Sequence, residues 1–423
     1  MLLSLLVSTA FALTLDEAWS IAEAQGDDAA MIRRQVGAAT TIRGQAMSAL
    51  LPRVSATGGY TVNQYESTID FSKLIPEELA ALAGDSEPVV VNAKSYWSGS
   101  ATVVQPLFSG SALPAWQAAD ATARAAEAQA AAQIDQLRVG VATAYWGAYL
   151  ARERVRVVTD GVARATSYLT LAEARETIGA GRAIDTAQAG VALARARREQ
   201  VQAEAGKVQA EETLARLLGC APDVALTRPE RRPLTMTNPQ HAVDEALLAP
   251  SVMASEARAT AARAARTATD LGWIPTISGR FTEAYSENSG FSGEVWNWQA
   301  AVTADWTLFD GGYRIAKQNE AAMNVALAAR AYDRERDQAT ADARSLWAAH
   351  AAATAASALA TEERALAEKA LTLAEASYGL GALTFLDLWQ TRQQRDGAEL
   401  AELAAEMQVD LAAVNLMART GGW

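Results

Sequence analysis

Residues that could do covalent or acid–base chemistry are few in this sequence, and they are scattered. The two histidines, His241 and His350, lie far apart along the chain, and Cys220 is the single cysteine. A catalytic nucleophile needs a neighbouring base, and a metal site needs several ligands at close spacing. Neither pattern occurs here, nor does a glycine-rich phosphate loop or a nucleophile elbow. We therefore predict no enzymatic activity, and no catalytic, cofactor-binding or metal-binding residues.

Charged residues at a matched spacing are found beside two glycine turns instead. Asp185 comes six residues after Gly179, and Asp387 comes six residues after Gly381. An aspartate at such a place can satisfy free N–H groups in the first turn of a helix, or its charge can act on ions nearby. The sequence alone gives these two roles equal weight.

The two turns belong to a unit that occurs twice. The spacing from the phenylalanine of each LFxG motif to the turn glycine is about 71 residues in one copy and about 72 in the other. The corresponding motifs of the two copies are Leu107-Phe108-Ser109-Gly110 with Leu308-Phe309-Asp310-Gly311, and Ile178-Gly179 with Leu380-Gly381. The elements that position both aspartates are therefore those of one duplicated unit.

Long helices make up most of each unit. Between Tyr313 and Ser377 the sequence has neither glycine nor proline and is rich in strong helix formers, which predicts a rod on the order of 100 Å long. Each rod turns at a glycine pair, Gly179 and Gly181 or Gly379 and Gly381, and returns as a second helix. The predicted helices are about 111–178, 184–218, 312–378 and 385–418.

Two strands precede the rod in each copy. From Val295 to Phe309 the even positions are apolar, from Trp296 to Leu308, while most of the odd positions are polar. This alternation predicts a strand with one apolar and one polar face. The predicted strands are about 53–64, 96–108, 275–285 and 295–309. Aromatic residues near their ends suit a membrane girdle: Tyr60, Trp97, Tyr285, Trp296, Trp298 and Trp306.

Four strands are too few to close a membrane barrel, since about eight is the smallest number observed. Three copies of the chain would supply 12 strands, so the pattern predicts a barrel shared among subunits. The residues thus predict a mixed fold class: a duplicated β-hairpin with very long antiparallel helices, in which three copies share one barrel and 12 helical segments below it enclose a wide tube. The alternative for the strands is a soluble hairpin packed on the rods, and the alternative for the rods is a solvated coiled coil or helical spacer.

The remaining features concern export and charge. Leu2 to Val7 is a short apolar core followed by Ala10-Phe11-Ala12, which predicts a signal peptide over residues 1–12. The first copy holds about 20 extra residues around Glu66 to Lys94, which we interpret as an enlarged surface loop. The net charge of -12 and the lack of a basic run argue against nucleic-acid binding.

The whole pattern resembles the outer membrane efflux protein family of TolC-like outer membrane channels. The resemblance rests on the exported N-terminus, the duplicated unit, the LFSG and LFDGG marks, and the turn sequences from Arg175 to Asp185 and from Tyr378 to Asp387. It covers nearly the whole mature chain. It implies a homotrimer with a 12-stranded outer-membrane β-barrel on a long periplasmic α-helical barrel. In this chain the two repeats are 13–218 and 251–423, and an equatorial connector at 219–250 joins them.

The resemblance also implies a periplasmic gate where the helices turn. The gate residues would be Asp387, Tyr378, Asp185 and Gln390, with three symmetry-related carboxylates repelling one another and attracting cations. Leu383 stands where the family has a gating arginine, and Gln390 where it has a second acid. An adaptor would dock at the tips, on Gly179, Gly181, Arg182, Gly379, Gly381 and Leu383.

The function implied is the outer-membrane exit duct of a tripartite efflux pump or type I secretion system. The duct would be passive and would open when its partners engage the helix tips. These partners would be a periplasmic adaptor (membrane fusion) protein and an inner-membrane transporter of the RND, ABC or MFS type, with outer-membrane lipid around the barrel. The alternative is a non-conducting periplasmic spacer anchored in the Gram-negative outer membrane.

Overall fold

The chain forms two compact units in the computed structural model, which describes residues 12–70, 88–219, 225–290 and 292–423. The helical unit comprises Met1–Ala38, Ala125–Glu256 and Arg330–Trp423, and the sheet unit comprises Ala39–Arg124 and Ala257–Ala329. Residues 1–11 of the predicted signal peptide, residues 71–87 of the enlarged loop, and Cys220 lie outside the described residues.

The order of elements repeats along the chain. The first copy contains α1 (Leu15–Gln25), α2 (Asp27–Ser48), β1 (Arg53–Val62), β2 (Ser67–Ile69), β3 (Val89–Asn92), β4 (Ser95–Phe108), α3 (Ala112–Thr177) and α4 (Ala183–Leu218). The second contains α5 (Pro239–Ala246), α6 (Pro250–Asp270), β5 (Thr276–Ser286), β6 (Trp296–Asp305), α7 (Tyr313–Gly379) and α8 (Phe385–Thr420). A hairpin, a very long helix, a turn and a return helix thus occur twice, as the sequence predicts.

Two long helices of this order escape sequence reasoning. Helices α2 and α6 lead into the first strand of each copy. Helix α2 contains Gly37 and Gly44 in its interior, and α6 combines small side chains with exposed arginines. Interior glycines lower the helix propensity of α2, and the few large apolar residues of α6 give no strong sequence signal. The predicted connector at 219–250 contains the whole of α5 and the first residue of α6.

The sheet unit holds one four-stranded antiparallel sheet in the order β1-β4-β5-β6. Strands β2 and β3 form a separate hairpin in the enlarged loop. The prediction that the last strand runs to residue 309 is wrong, because β6 ends at Asp305. The segment beyond is held by side chains instead: Arg314 donates to the carbonyl oxygen of Thr307 and, at 2.7 Å, to Asp310.

Small side chains let the helices of the helical unit approach closely. Ala142, Ala148, Ala339 and Ala343 have no exposed surface. The core is completed by a few large residues, of which Trp146 donates through Nε1 to Asp410 at 2.7 Å. Burial raises the pKa of the Asp410 carboxyl group. Among the helices of the described residues, none is long and apolar enough to cross a membrane.

Candidate functional site

The two helix turns have the same backbone. Gly179 and Gly381 adopt φ angles of 73° and 74°. In the first turn the amide of Gly179 donates to Glu176 O, and in the second the amide of Gly381 donates to Tyr378 O. The next residue in each turn donates five residues back, to Arg175 O or Ser377 O, which completes a Schellman motif. Glycine is required because the left-handed conformation is strained for residues with a Cβ.

The first turn neutralises its aspartate locally. Asp185 is the third residue of α4, and Arg182 precedes the helix. The Arg182 guanidinium donates to both carboxylate oxygens of Asp185, at 3.0 and 2.9 Å. This hydrogen bonding lowers the pKa of Asp185 below its usual value. Asp185 therefore carries its charge as one half of an ion pair.

The second turn leaves its aspartate without an arginine beside it. Asp387 is also the third residue of its helix, α8, and Thr384 is the N-cap. The Thr384 hydroxyl accepts from the Asp387 amide at 3.3 Å and donates to the Asp387 carboxylate at 2.5 Å. The Asp387 side chain is exposed. Asp387 can therefore stabilise the start of the helix and still present its charge to ions in solution.

An aromatic cluster supports the second turn. The Tyr168 ring lies 6.5 Å from the Tyr378 ring and 5.9 Å from the Phe385 ring, both edge-on, and Phe385 stacks on Trp389 at 6.3 Å. Phe385 and Trp389 also pack against buried alanines of α4. The cluster therefore joins the two helical hairpins near their turns. Burial raises the pKa of Tyr168.

Two charged side chains close over this cluster. The Arg175 guanidinium carbon lies 5.1 Å from the centre of the Tyr378 ring. The Arg392 guanidinium donates to Glu375 and lies 5.8 Å from the centre of the Tyr168 ring. Sequence reasoning found Tyr378 but missed the other members of the cluster. The spacing of Phe385, Leu388 and Trp389 on one helix face was a signal for some of them.

The other predicted tip residues differ in how deeply they are buried. Leu383 is half-buried against Leu371, Ala374 and Leu388, while Gln390 is exposed. Gly379 ends α7 in open space, whereas a Cβ on Gly181 would lie 2.9 Å from the Glu176 amide nitrogen. Large apolar side chains are also exposed at both turns.

These exposed side chains occupy the same place in each repeat. Ile178 is 77% exposed and Leu380 is 87% exposed, and each directly precedes its turn glycine. Burial of an apolar side chain of this size against another surface is favourable.

Among the described residues, no group of three or more histidine, cysteine and acidic side chains is placed to hold a metal ion.

The predicted girdle residues lie mostly at one end of the sheet. Tyr60 pairs with Trp97 and Tyr285 pairs with Trp296, with ring centres 5.0 Å apart in both pairs. Trp298 is one step further in and stacks on Phe281 at 6.2 Å. Trp306 lies beyond β6, at the opposite end, and donates to the Trp273 carbonyl at 3.0 Å. Aromatic residues thus mark both ends of the sheet.

The two faces of the sheet differ in chemistry. The face with Trp296 and Trp298 is largely exposed and apolar. The opposite face carries hydroxyl pairs across the strands: Thr57 with Ser100 at 2.9 Å, Thr102 with Thr282 at 3.1 Å, and Ser278 with Thr303 at 2.9 Å. Strands β1 and β6 each leave one edge unpaired within the described sheet. Such edges are templates for further strands.

Comparison with solved structures places this fold among outer-membrane channels. The crystal structures of CusC, a transmembrane channel, match with a TM-score of 0.77 at 16% identity over 99% of this chain and 95% of that chain. The Campylobacter jejuni CmeC outer membrane channel matches with 0.79 at 14% identity over 99% and 90%. The open Neisseria gonorrhoeae MtrE outer membrane channel matches with 0.75 at 20% identity over 96% and 88%.

Sequence comparison gives the family directly. No curated protein sequence matches the chain. The family model described as outer membrane efflux protein, however, matches residues 20–220 and 243–422, which include nearly all of both predicted repeats and both turns. This chain therefore belongs to the outer membrane efflux protein family, and it is an outer-membrane efflux channel that extends into the periplasm.

Proposed function

We propose that this efflux channel is the exit duct of a tripartite efflux pump or of a type I secretion system. The observation that carries the proposal is the pair of exposed apolar residues, Ile178 and Leu380, on two turns with the same backbone. Matched apolar tips suit a partner that docks at both places by a similar contact. A periplasmic adaptor with helical hairpins, coupled to an inner-membrane transporter of the RND, ABC or MFS type, is such a partner.

We further propose that the working assembly is a homotrimer. Each copy offers a four-stranded sheet with two open edges and an apolar aromatic face. Backbone groups at open edges cannot remain unpaired in lipid, so edges must meet edges. Three copies close 12 strands, with the tryptophan face towards lipid and the hydroxyl face towards the lumen.

In the proposed gate, Asp387 carries more of the effect than Asp185. Three copies of an exposed carboxylate around a narrow pore repel one another and attract cations. Asp185 contributes less because Arg182 already balances its charge. Tyr378 and Gln390 complete the proposed gate, with Tyr378 held in the aromatic cluster.

Conductance in planar bilayers tests the duct and the gate together. The purified protein should form discrete channels, and Asp387→Ala should raise their conductance because cations held by the carboxylate ring no longer obstruct the narrow pore. Asp185→Ala is the matched control and should change conductance less. Absence of channels in both the native protein and Asp387→Ala would instead support a non-conducting spacer.

Cross-linking to the adaptor tests the docking surface. Leu380→Ser and Ile178→Ser should each lower cross-linking, and the double variant should lower it further. Gly381→Pro should abolish it, because proline requires φ near −65° and lacks the amide that bonds to Tyr378. Unchanged cross-linking in the double serine variant, with the trimer intact on a gel, would rule out docking at these turns.

The expectation that the chain has no enzymatic activity stays a prediction. A channel needs no chemistry of its own, since the transporter supplies the energy. Substrate-dependent turnover by the purified protein, without partners, would contradict it.

A further inference from the structure

The polar face of the four-stranded sheet carries two arginines on the same rung, that is, in one row of residues paired across neighbouring strands. Arg53 of β1 pairs with Val104 of β4, and Val104 pairs with Arg280 of β5. Residues directly opposite one another in an antiparallel sheet point to the same face. The two Cα atoms are two strand spacings apart, about 10 Å. Both side chains are exposed.

These arginines have no acidic neighbour on their rung. The charged residues of the four strands are Arg53, Arg280, Glu283 and Asp305. Glu283 pairs with Ala101 and Trp298, so it lies on the opposite, apolar face. Asp305 is on the polar face, but it lies four residues along β6 from the rung, roughly 13 Å away.

Hydroxyl groups flank the pair instead of carboxylates. Thr282 and Ser278 lie two residues to either side of Arg280 on the same face, and each shares a hydrogen bond with a hydroxyl of the next strand. Within the part of the chain that the structure describes, neither guanidinium makes a hydrogen bond or an ion pair. The rung therefore presents two unopposed positive charges among neutral polar groups.

From this geometry we propose that Arg53 and Arg280 form an anion-binding and anion-selecting site in the barrel lumen. The ligand class is a solute with a carboxylate, phosphate or sulfonate group. Guanidinium groups bind such anions through paired N–H donors, and both arginines are long enough to contact one anion placed between them. This inference rests on the proposed duct, because it places the polar face towards the lumen.

The strand order spreads the site around the whole barrel. In a closed barrel of three copies, the order β1-β4-β5-β6 places an arginine on every second strand, six in total. A strand tilt of about 40° sets each pair oblique to the barrel axis, so the six arginines form a band on the order of 6 Å tall. The proposed duct thus has an acidic periplasmic tip and a basic band in the barrel.

Reversal potentials in planar bilayers under a KCl gradient test the site. The protein used is the full-length trimer carrying Asp387→Ala, so that the tip acid does not set the selectivity. Replacement of both arginines by glutamine, Arg53→Gln with Arg280→Gln, should lower the chloride-to-potassium permeability ratio by about threefold or more. The effect should be largest at low salt, where the charges are screened least.

The matched variant keeps the charge. Arg53→Lys with Arg280→Lys should retain the high ratio, which separates a charge effect from a change in pore width. Added citrate, a carboxylate probe, should block the current of the parent protein and block the glutamine variant more weakly.

The outcomes separate the two proposals. Channels whose permeability ratio is the same with arginine and with glutamine would overturn the anion site and leave the duct standing. A trimer that is intact on a gel but gives no conductance would overturn the duct and, with it, the site. A lysine variant that behaves like the glutamine variant would show that positive charge does not set the selectivity, and so would also overturn the site.

Discussion

At Gly179 and Gly381 the chain makes the same turn, yet the helices that follow begin differently. After the first turn, Asp185 is paired with Arg182 and the neighbouring Ile184 is exposed. After the second, Asp387 has only the Thr384 hydroxyl, and Phe385 is buried in an aromatic cluster. The glycine found in both repeats determines the backbone conformation of the turn, whereas the neighbouring side chains determine its charge and packing.

This difference teaches how two copies of one unit can divide their work. Both turns carry an exposed apolar residue for docking, whereas only the second holds an exposed acid on a well-packed turn, which suits a gate whose charge must be held in place. Substitutions at the two turns test this division.

Phe385→Ala should destabilise the second turn the most. Removing a buried aromatic ring costs about 3 to 5 kcal/mol, because a cavity replaces its contacts with Tyr168 and Trp389. Hydrogen exchange of backbone amides over residues 371–396 should become faster by on the order of a hundredfold or more. Ile184→Ala in the first turn is the control, and an equal loss of protection there would remove the proposed difference in packing.

Gly381→Ala and Gly179→Ala should have nearly equal effects, since the two backbones match. Forcing alanine into the left-handed conformation costs about 1 to 2 kcal/mol at either turn. The control is Gly379→Ala, where a Cβ meets nothing and φ is not positive, and it should stabilise the end of α7 by up to about 1 kcal/mol. Hydrogen exchange of the amides at each turn measures the effects of all three substitutions. If Gly381→Ala and Gly179→Ala changed stability by very different amounts, the shared backbone would not be what stabilises the turns.

Thr384→Ala should weaken the start of α8 by about 1 kcal/mol, because the N-cap bond to the Asp387 amide is lost. Arg182 occupies the matching N-cap position of α4 and makes no side-chain cap bond. Arg182→Ala should therefore leave amide exchange at the start of α4 closer to that of the native protein. The reverse order of the two effects would contradict the assignment of Thr384 as the cap.

Arg182→Gln should have the smallest effect, and one that depends on pH. The Asp185 pKa is lowered below 3.8 in the folded protein, so the ion pair contributes stability at neutral pH. That contribution is lost as the pH falls below 3.8 and the carboxylate becomes protonated. The difference in melting temperature between native and Arg182→Gln protein should shrink to zero in acid, whereas a difference that persists there would assign Arg182 another role.

Much of the fold follows from the sequence because its signals are local. Helix formers without glycine or proline from Tyr313 to Ser377 predict α7 to within a few residues of its ends. Alternation predicts β6, but it continues to Leu308 while the strand ends at Asp305, because its partner β5 begins at Thr276, which pairs with Asp305. Alternation records which residues suit a strand, not where the partner strand stops.

The candidate site, too, can be predicted from the sequence only in part. Gly179, Gly381 and the two aspartates are visible as a repeat, because a Schellman turn and a helix start each need particular residue types. The aromatic cluster was missed because Tyr168 belongs to the first repeat while Phe385 and Tyr378 belong to the second. Contacts between repeats depend on how helices pack, which no local pattern encodes.

By itself, the sequence determined the duplication, the long helices, the turn glycines and the apolar and polar faces of the strands. Only the tertiary structure decided which residues of different strands meet. By the repeat, Arg53 corresponds to Thr276, yet the sheet places it on the rung of Arg280, four residues further along β5. The reason is physical: local preference fixes the face a side chain occupies, whereas strand register is set by pairing between distant segments.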